Sequence, residues 1–158
     1  MTVTPAERVL ELLALLDGAD LNVWVDGGWG VDALVGQQTR EHEDLDLGVV
    51  RPHLDAVIDV LSGVGYSLTD ARFVQVTVQL AHTKGHRVDL HPSTPVPGGG
   101  TEQTGFDGNT YYIPPPAEGR IGGRVVRCMS LSTQFHTHKG YELRPKDHHD
   151  LRLLQEML

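Results

Sequence analysis

One cysteine, Cys128, is all the thiol the 158-residue sequence contains. An intramolecular disulfide framework is therefore excluded, and a reducing, cytoplasmic setting is expected. Lying in the apolar run Val125-Val-Arg-Cys-Met129 with no evident base beside it, that thiol reads as a small buried hydrophobe rather than a nucleophile. Positive charge is scarce too. Thirteen Lys and Arg face 21 Asp and Glu, a formal charge of −8, the wrong sign for gripping nucleic acid through its phosphates. A small cationic partner suits that balance better. No stretch approaches the roughly 18 consecutive apolar residues of a membrane span, and the first 16 residues lack the basic start and cleavage site of a secretory signal. Heptads and fixed-period repeats are absent, which excludes coiled coils and solenoids. Nine histidines are present, yet zinc-site spacing is not. In a helix the rings of His136 and His138 would point about 200° apart and those of His148 and His149 about 100° apart, and no His-Glu-x-x-His occurs.

What remains is enough for one compact domain spanning residues 1–158, since a chain of this length buries about 70% of its unfolded surface without metal or disulfide staples. Thr4-Pro5-Ala6-Glu7 offers a capping hydroxyl, a proline at the first helical position and a reciprocal glutamate ahead of Val9, Leu10, Leu13 and Leu16, which predicts a first helix ended by Gly18. Asn22 to Val25 reads as a short buried strand running into Asp26-Gly27-Gly28, with a second helix from about Trp29 to Val35. Asp44 to Val50 alternates acid and hydrophobe at period two, so its acids share one face and its leucines the other. Pro52 to Leu61 carries helical spacing. Phe73 to Ala81 and His86 to His91 read as two strands joined by the Thr83-Lys84-Gly85 turn, followed by a glycine-rich loop from Pro92 to Gly108. Thr110 to Ile113 and Arg124 to Cys128 add strands. Ser130 caps a helix through His138, and a last helix runs from Pro145 with Leu151, Leu154 and Leu158 on its apolar side. The class is α+β: a small mixed sheet with helices packed against it, the C-terminal pair over about 130–158.

Asp44 and Asp46, one residue apart on a strand, project side by side and suit a hard divalent cation such as Mg²⁺, which takes one or two protein carboxylates plus substrate phosphates. Asp89 sits in a neighbouring apolar run, where an unpartnered carboxylate is costly. Three acids converging on one sheet face repel each other unless a cation lies among them. Gly27-Gly28 stands between strand and helix, where backbone N–H groups and the helix dipole hold phosphate oxygens. It is neither a P-loop nor a dinucleotide fingerprint. Arg40 and His42 just upstream of the acidic strand are candidate triphosphate contacts, as is Lys146 from the last helix; Trp29 is expected behind the turn. Asp26 and Asp32 either orient that turn or serve as cap and surface acids. His91, two residues past Asp89, lines the same strand, and Tyr141 is read as structural.

These segments together carry a resemblance. Asp26-Gly-Gly-Trp-Gly-Val-Asp32, Gln38-Thr-Arg-Glu-His-Glu-Asp44-Leu-Asp46 and Arg87-Val-Asp89-Leu-His-Pro92 resemble the nucleotidyltransferase superfamily related to DNA polymerase β, and within it the small lincosamide nucleotidyltransferases and aminoglycoside 2''-adenylyltransferases. His138, Gly140-Tyr141 and Lys146-Asp147-His148-x-Asp150 resemble that group's last two helices. The likeness implies that Asp44 and Asp46 hold Mg²⁺ on ATP or another nucleoside triphosphate, that Gly27-Gly28 cradles the β- and γ-phosphates, and that Asp89 takes a proton from an acceptor hydroxyl. It leaves open whether Asp89 also binds a second metal. The implied reaction moves AMP to a small cationic hydroxyl compound, a lincosamide- or aminoglycoside-type antibiotic. Two other readings compete: a non-catalytic nucleotide-binding regulator or toxin–antitoxin component, and a protein AMP-transferase. Phe73 to Leu80 carries no charge, where relatives often place a basic residue. A domain this small offers a shallow acceptor pocket that a symmetric partner would complete, so a homodimer is expected.

Overall fold

The computed structural model describes residues 2–138 and 142–158; the Gly140-Tyr141 pair, with the role expected of Tyr141, lies outside them. Helix α1 (Ala6–Gly18) leads into β1 (Val23–Asp26), α2 (Gly27–Val35) and β2 (Asp44–Val50). A 3-10 turn at Arg51–His53 then enters α3 (Leu54–Ser62), β3 (Tyr66–Asp70), β4 (Val78–His82) and the nine-residue β5 (Arg87–Pro95). After β6 (Thr101–Thr104), β7 (Thr110–Ile113), β8 (Ala117–Ile121) and β9 (Arg124–Cys128), the chain ends in α4 (Leu131–Thr137) and α5 (Pro145–Glu156). The strands form one mixed sheet in the order β3-β4-β5-β2-β1-β9-β8, with the β6–β7 hairpin leaving from the far end of β5. Among the described residues, only β2/β5 and β1/β9 run parallel.

The alternation of β2 places Leu45, Leu47 and Val49 on one face, opposite Val88 and Leu90 of β5 in register, and all five are fully buried. Val9, Leu12 and Leu16 of α1 and Val57 and Leu61 of α3 complete that core. Each such side chain removed from water stabilises the fold by roughly 1.5–3 kcal/mol. The opposite face carries Asp44, Asp46 and Gly48. Trp24 stands opposite Gly48 in register, and a Cβ on Gly48 would collide with its indole ring. Gly48→Ala is therefore expected to cost about 1–3 kcal/mol by overpacking, read as a fall in Tm with the far-UV spectrum retained.

Several expectations need correction. Thr4 does not cap α1: Pro5 is the N-cap without a side-chain bond, while the Thr4 hydroxyl donates to the Glu43 carbonyl at 3.2 Å and its amide to that of His42 at 2.7 Å. The N-terminus is thus tied to the segment entering β2. The strand expected from Phe73 starts only at Val78, because the amides of Val76 and Thr77 donate back to the Phe73 carbonyl and close a turn. Within the expected loop from Pro92 to Gly108, β5 continues to Pro95 and β6 pairs with it. Thr101-Glu-Gln-Thr104 has no apolar alternation, so its pairing rests on backbone bonds that no side-chain pattern announces. Strands β3 and β8 were not anticipated, and the sheet is correspondingly larger than expected. Leu158 is 85% exposed rather than packed, whereas Leu154 is fully buried. Ser130 does cap α4, its hydroxyl accepting from the Thr133 amide at 3.4 Å.

Candidate active site

Strand pairing builds the site. Asp46 stands opposite Asp26 on β1 and opposite Asp89 on β5, and Asp89 stands opposite Gln79 on β4. A row of polar side chains thus crosses four adjacent strands on the open face. Asp44, two residues before Asp46, shares that face. One ligand oxygen from each of Asp44, Asp46 and Asp89 lies within 4.8 Å of the other two, and all three residues are half-buried. Burial, reinforced by Asp46 and Asp44, pushes the Asp89 carboxyl up to about 7. Burial and Asp46 also raise Asp44, against the opposing charges of Lys146 and Arg87. Crowded anions of this kind hold protons until a cation replaces them, and an all-carboxylate donor set is what a hard divalent ion takes.

His91 completes the row. Its Nε2 lies 2.8 Å from Asp46 Oδ1; burial opposes the charged ring, but the bond and charge of Asp46, with Asp26 and Asp89, raise it to about 9. A cationic imidazolium therefore donates to the carboxylate, fixing one Asp46 oxygen. Asp26 is buried with Oδ1 unpaired. Burial lifts it to about 7, the charge of His91 opposing and that of Asp46 adding. It is thus a buried acid of the site, and neither a cap bond nor a surface position describes it.

The glycine turn closes the near end. Gly27 opens α2 with φ +58°, a left-handed conformation, and a Cβ there would collide with Asp46 Oδ2. A Cβ on Gly28 would strike Arg40 Nη2 and come within 2.7 Å of His42 Nδ1. Gln134 from α4 donates to the Gly27 carbonyl at 3.2 Å. Arg40 and His42 are each held by an acid. Arg40 donates from Nε (3.0 Å) and Nη2 (2.8 Å) to Asp150 of α5, while His42, 3% exposed, bonds Asp32 Oδ2 through Nε2 at 2.6 Å and packs on Trp29. Asp32 is buried, which alone would raise its carboxyl; bonds from His42 and Thr39 overcome this and hold it below the usual range. Asp32 therefore orients His42 rather than the turn itself. Trp29 packs behind the turn as expected, its indole N–H donating to the Thr4 carbonyl. Lys146 is half-buried near Asp44 at the start of α5.

All eight residues singled out in the sequence, Gly27, Gly28, Arg40, His42, Asp44, Asp46, Asp89 and Lys146, line one open cleft of about 960 Å³. The same cleft is lined by Asp26, His138, Gln103 and Phe106. Gln103 and Phe106 went unnoticed because they sit in the segment read as a loop, where no periodicity marks a face. Asp150 was visible only as part of the last-helix resemblance; its partner is 110 residues away. Cys128 is buried, and burial pushes its thiol up to about 11, which leaves it unreactive. Among the described residues, no helix is long and apolar enough to cross a membrane.

Comparison with known proteins identifies the family. The chain is 31% identical over 153 residues to a lincosamide resistance protein of Staphylococcus haemolyticus, covering 96% of this chain and 94% of that one. It is 32% identical over 141 residues to a 2''-aminoglycoside nucleotidyltransferase of Escherichia coli, covering 82% and 70%. Among solved structures, the lincomycin-bound lincosamide antibiotic adenylyltransferase LnuA superimposes with a TM-score of 0.87 at 29% identity, covering 99% of this chain and all of that one. The fold is shared as well by ANT(2'')-Ia bound to adenylyl-2''-tobramycin, with a TM-score of 0.74 at 20% identity and coverage of 96% and 88%. A family profile described as aminoglycoside-2''-adenylyltransferase matches residues 8–154, and the chain belongs to that family of nucleotidyltransferases.

Proposed function

We propose that this protein transfers a nucleoside monophosphate, AMP from ATP, to a hydroxyl of a small antibiotic of the lincosamide or aminoglycoside type, releasing pyrophosphate. The observation that carries the reading is the convergence of Asp44, Asp46 and Asp89 beside a glycine turn in one cleft. The three carboxylates would hold Mg²⁺, which when bound neutralises triphosphate charge and polarises the α-phosphate. The Gly27-Gly28 turn receives the β- and γ-phosphates, because its missing side chains let Asp46, Arg40 and His42 close on the turn and the α2 N-terminus favours anions. Arg40 Nη2 commits one N–H to Asp150 and keeps its second for phosphate; Lys146 adds a positive charge from α5. His42 faces the turn through Nδ1. Asp89 accepts the proton of the acceptor hydroxyl, the oxygen bonds to the α-phosphorus, the bond from that phosphorus to the bridging oxygen breaks, and pyrophosphate departs. The nucleotide requirement fits a cytoplasmic enzyme. A second copy closing the open side of the cleft would make the working form a homodimer, and a monomer by sedimentation at micromolar concentration would remove that part of the reading.

The test is an acceptor panel containing lincosamides and aminoglycosides, read by mass shift and pyrophosphate release. Turnover should require both Mg²⁺ and acceptor, and the product should gain one AMP. Tight nucleotide binding without product from any acceptor would overturn the reading. Metal demand should also depend on pH with a definite sign. Asp89, raised to about 7, and Asp44, raised above its ordinary value, must lose protons before they bind a cation. The Mg²⁺ concentration for half-maximal rate should therefore fall as pH rises through about 7, by up to about tenfold per pH unit for each proton displaced.

A further inference from the structure

The cleft is chemically polarised along the sheet. Its arginines and lysine, Arg40, Arg144 and Lys146, belong to the α2 and α5 side, beside the glycine turn. Two strands away, beyond Asp89, the lining changes character. The β5–β6 register sets Pro95 opposite Thr101, so Thr101 and Gln103 share the face of Asp89 and His91. At the tip of the hairpin that β6 begins, Phe106 is 71% exposed and meets Phe73, 52% exposed, from the turn between β3 and β4. Their ring centroids are 5.5 Å apart at 80°, an edge-to-face pair assembled from two separate loops. Arg72 covers one side of Phe73, 5.6 Å from the ring centroid. Two aromatics held together in water at the rim of an active-site cleft mark a surface meant to be covered.

The carboxylates point the same way. Of the acids lining the cleft, Asp150 is engaged by Arg40, Asp147 by Arg144 and Glu43 by Arg87, and the exposed Glu41 and Glu142 sit next to Arg40 and two residues before Arg144 in the chain, all toward the turn or the starts of β2 and α5. Beside Phe106, Asp107 accepts from Tyr111 and Asn109. Glu102 alternates onto the other face of its strand. The far end thus combines one central carboxylate, Asp89, with the Gln79 and Gln103 amides and an aromatic wall. A polyamine needs several carboxylates free to meet it. An amphiphile with one hydroxyl to present and an apolar ring or alkyl face needs the aromatic wall instead.

Taking the nucleotidyl-transfer reading as its basis, we infer that Phe106, backed by Phe73, is the acceptor platform, and that the acceptor is a compound with an apolar face and few amines rather than a polyamine. Calorimetry on the full chain, loaded with Mg²⁺ and a non-hydrolysable ATP analogue, tests it with lincomycin, a monoamine bearing alkyl groups, and tobramycin, a polyamine. Lincomycin should bind more tightly than tobramycin. Phe106→Ala should weaken lincomycin about tenfold, the scale of one lost aromatic contact, while Phe106→Leu retains most of the affinity and the nucleotide analogue binds unchanged in both. Equal lincomycin affinity in Phe106→Ala, tighter binding of tobramycin, or no lincomycin binding to the unaltered chain would each overturn the platform. Turnover is measured separately with ATP. Phe106-dependent binding without pyrophosphate release would leave the platform standing and defeat the nucleotidyl-transfer reading, whereas efficient transfer to tobramycin with weak lincomycin binding would do the reverse.

Discussion

Asp89→Asn is expected to lower the rate of nucleotidyl transfer by about 10³-fold, within the range typical for removing a positioned base, while the protein remains folded. Asparagine keeps the size of the side chain and its carbonyl acceptor, but it takes no proton at neutral pH and carries no charge toward a cation. Stability should not suffer. The native carboxyl is raised to about 7 by burial and by Asp46 and Asp44, so folding already disfavours its ionised form. Because its folded value exceeds the unfolded one, its contribution to stability is fully present below about pH 4 and is lost as pH rises through about 7. Replacing it with a neutral group should leave the metal-free Tm unchanged at acid pH and raise it slightly above neutrality. Single-turnover pyrophosphate release, with Tm measured alongside, separates the two effects. A loss smaller than about tenfold with a genuine acceptor would remove Asp89 from the proton-accepting role.

Gly27→Ala should be nearly as damaging, for a geometric reason. Its φ of +58° disfavours any L side chain, and the added Cβ would collide with Asp46 Oδ2. The backbone cost is about 1–2 kcal/mol, which a folded protein tolerates. Relieving the collision moves either the Asp46 carboxylate, breaking its 2.8 Å bond to His91, or the turn proposed to receive phosphate. A misplacement of about 1 Å can cost about 10²-fold in rate. Gly36→Ala is the control. Gly36 ends α2 at φ +92°, and no atom lies within 4 Å of the place a Cβ would take there, so that variant bears backbone strain without touching the site. It should lose stability and keep its rate. Equal loss of activity in both variants would show that strain in α2, rather than displacement of Asp46, governs the rate.

The acidic strand was legible because alternation at period two fixes which side chains share a face whatever lies around them: Asp44 and Asp46 on one side, Leu45 and Leu47 on the other. The bend at Gly27 was legible for a related reason, since the left-handed backbone it adopts favours glycine. Other parts were not. Thr4 had the signature of a cap, yet its hydroxyl and amide went to the chain entering β2, because long-range pairing competed with the local bond. The polar strand β6 carried no periodic signal at all, and with it Gln103 and Phe106 were missed.

Residue order alone thus determined the fold class, the acidic strand, the glycine turn and the chemistry proposed for three carboxylates beside that turn. Those features arise from neighbours a few positions apart, where backbone geometry dictates direction. Tertiary structure decided which distant groups meet. The parallel register of β2 and β5 set Asp89 opposite Asp46, and α5 brought Asp150 onto Arg40 across 110 residues. It also paired His91 with Asp46 and stood Phe106 against Phe73. Such pairings depend on strand order and loop closure, which are settled by the burial of the whole core and leave no mark on any short stretch of sequence.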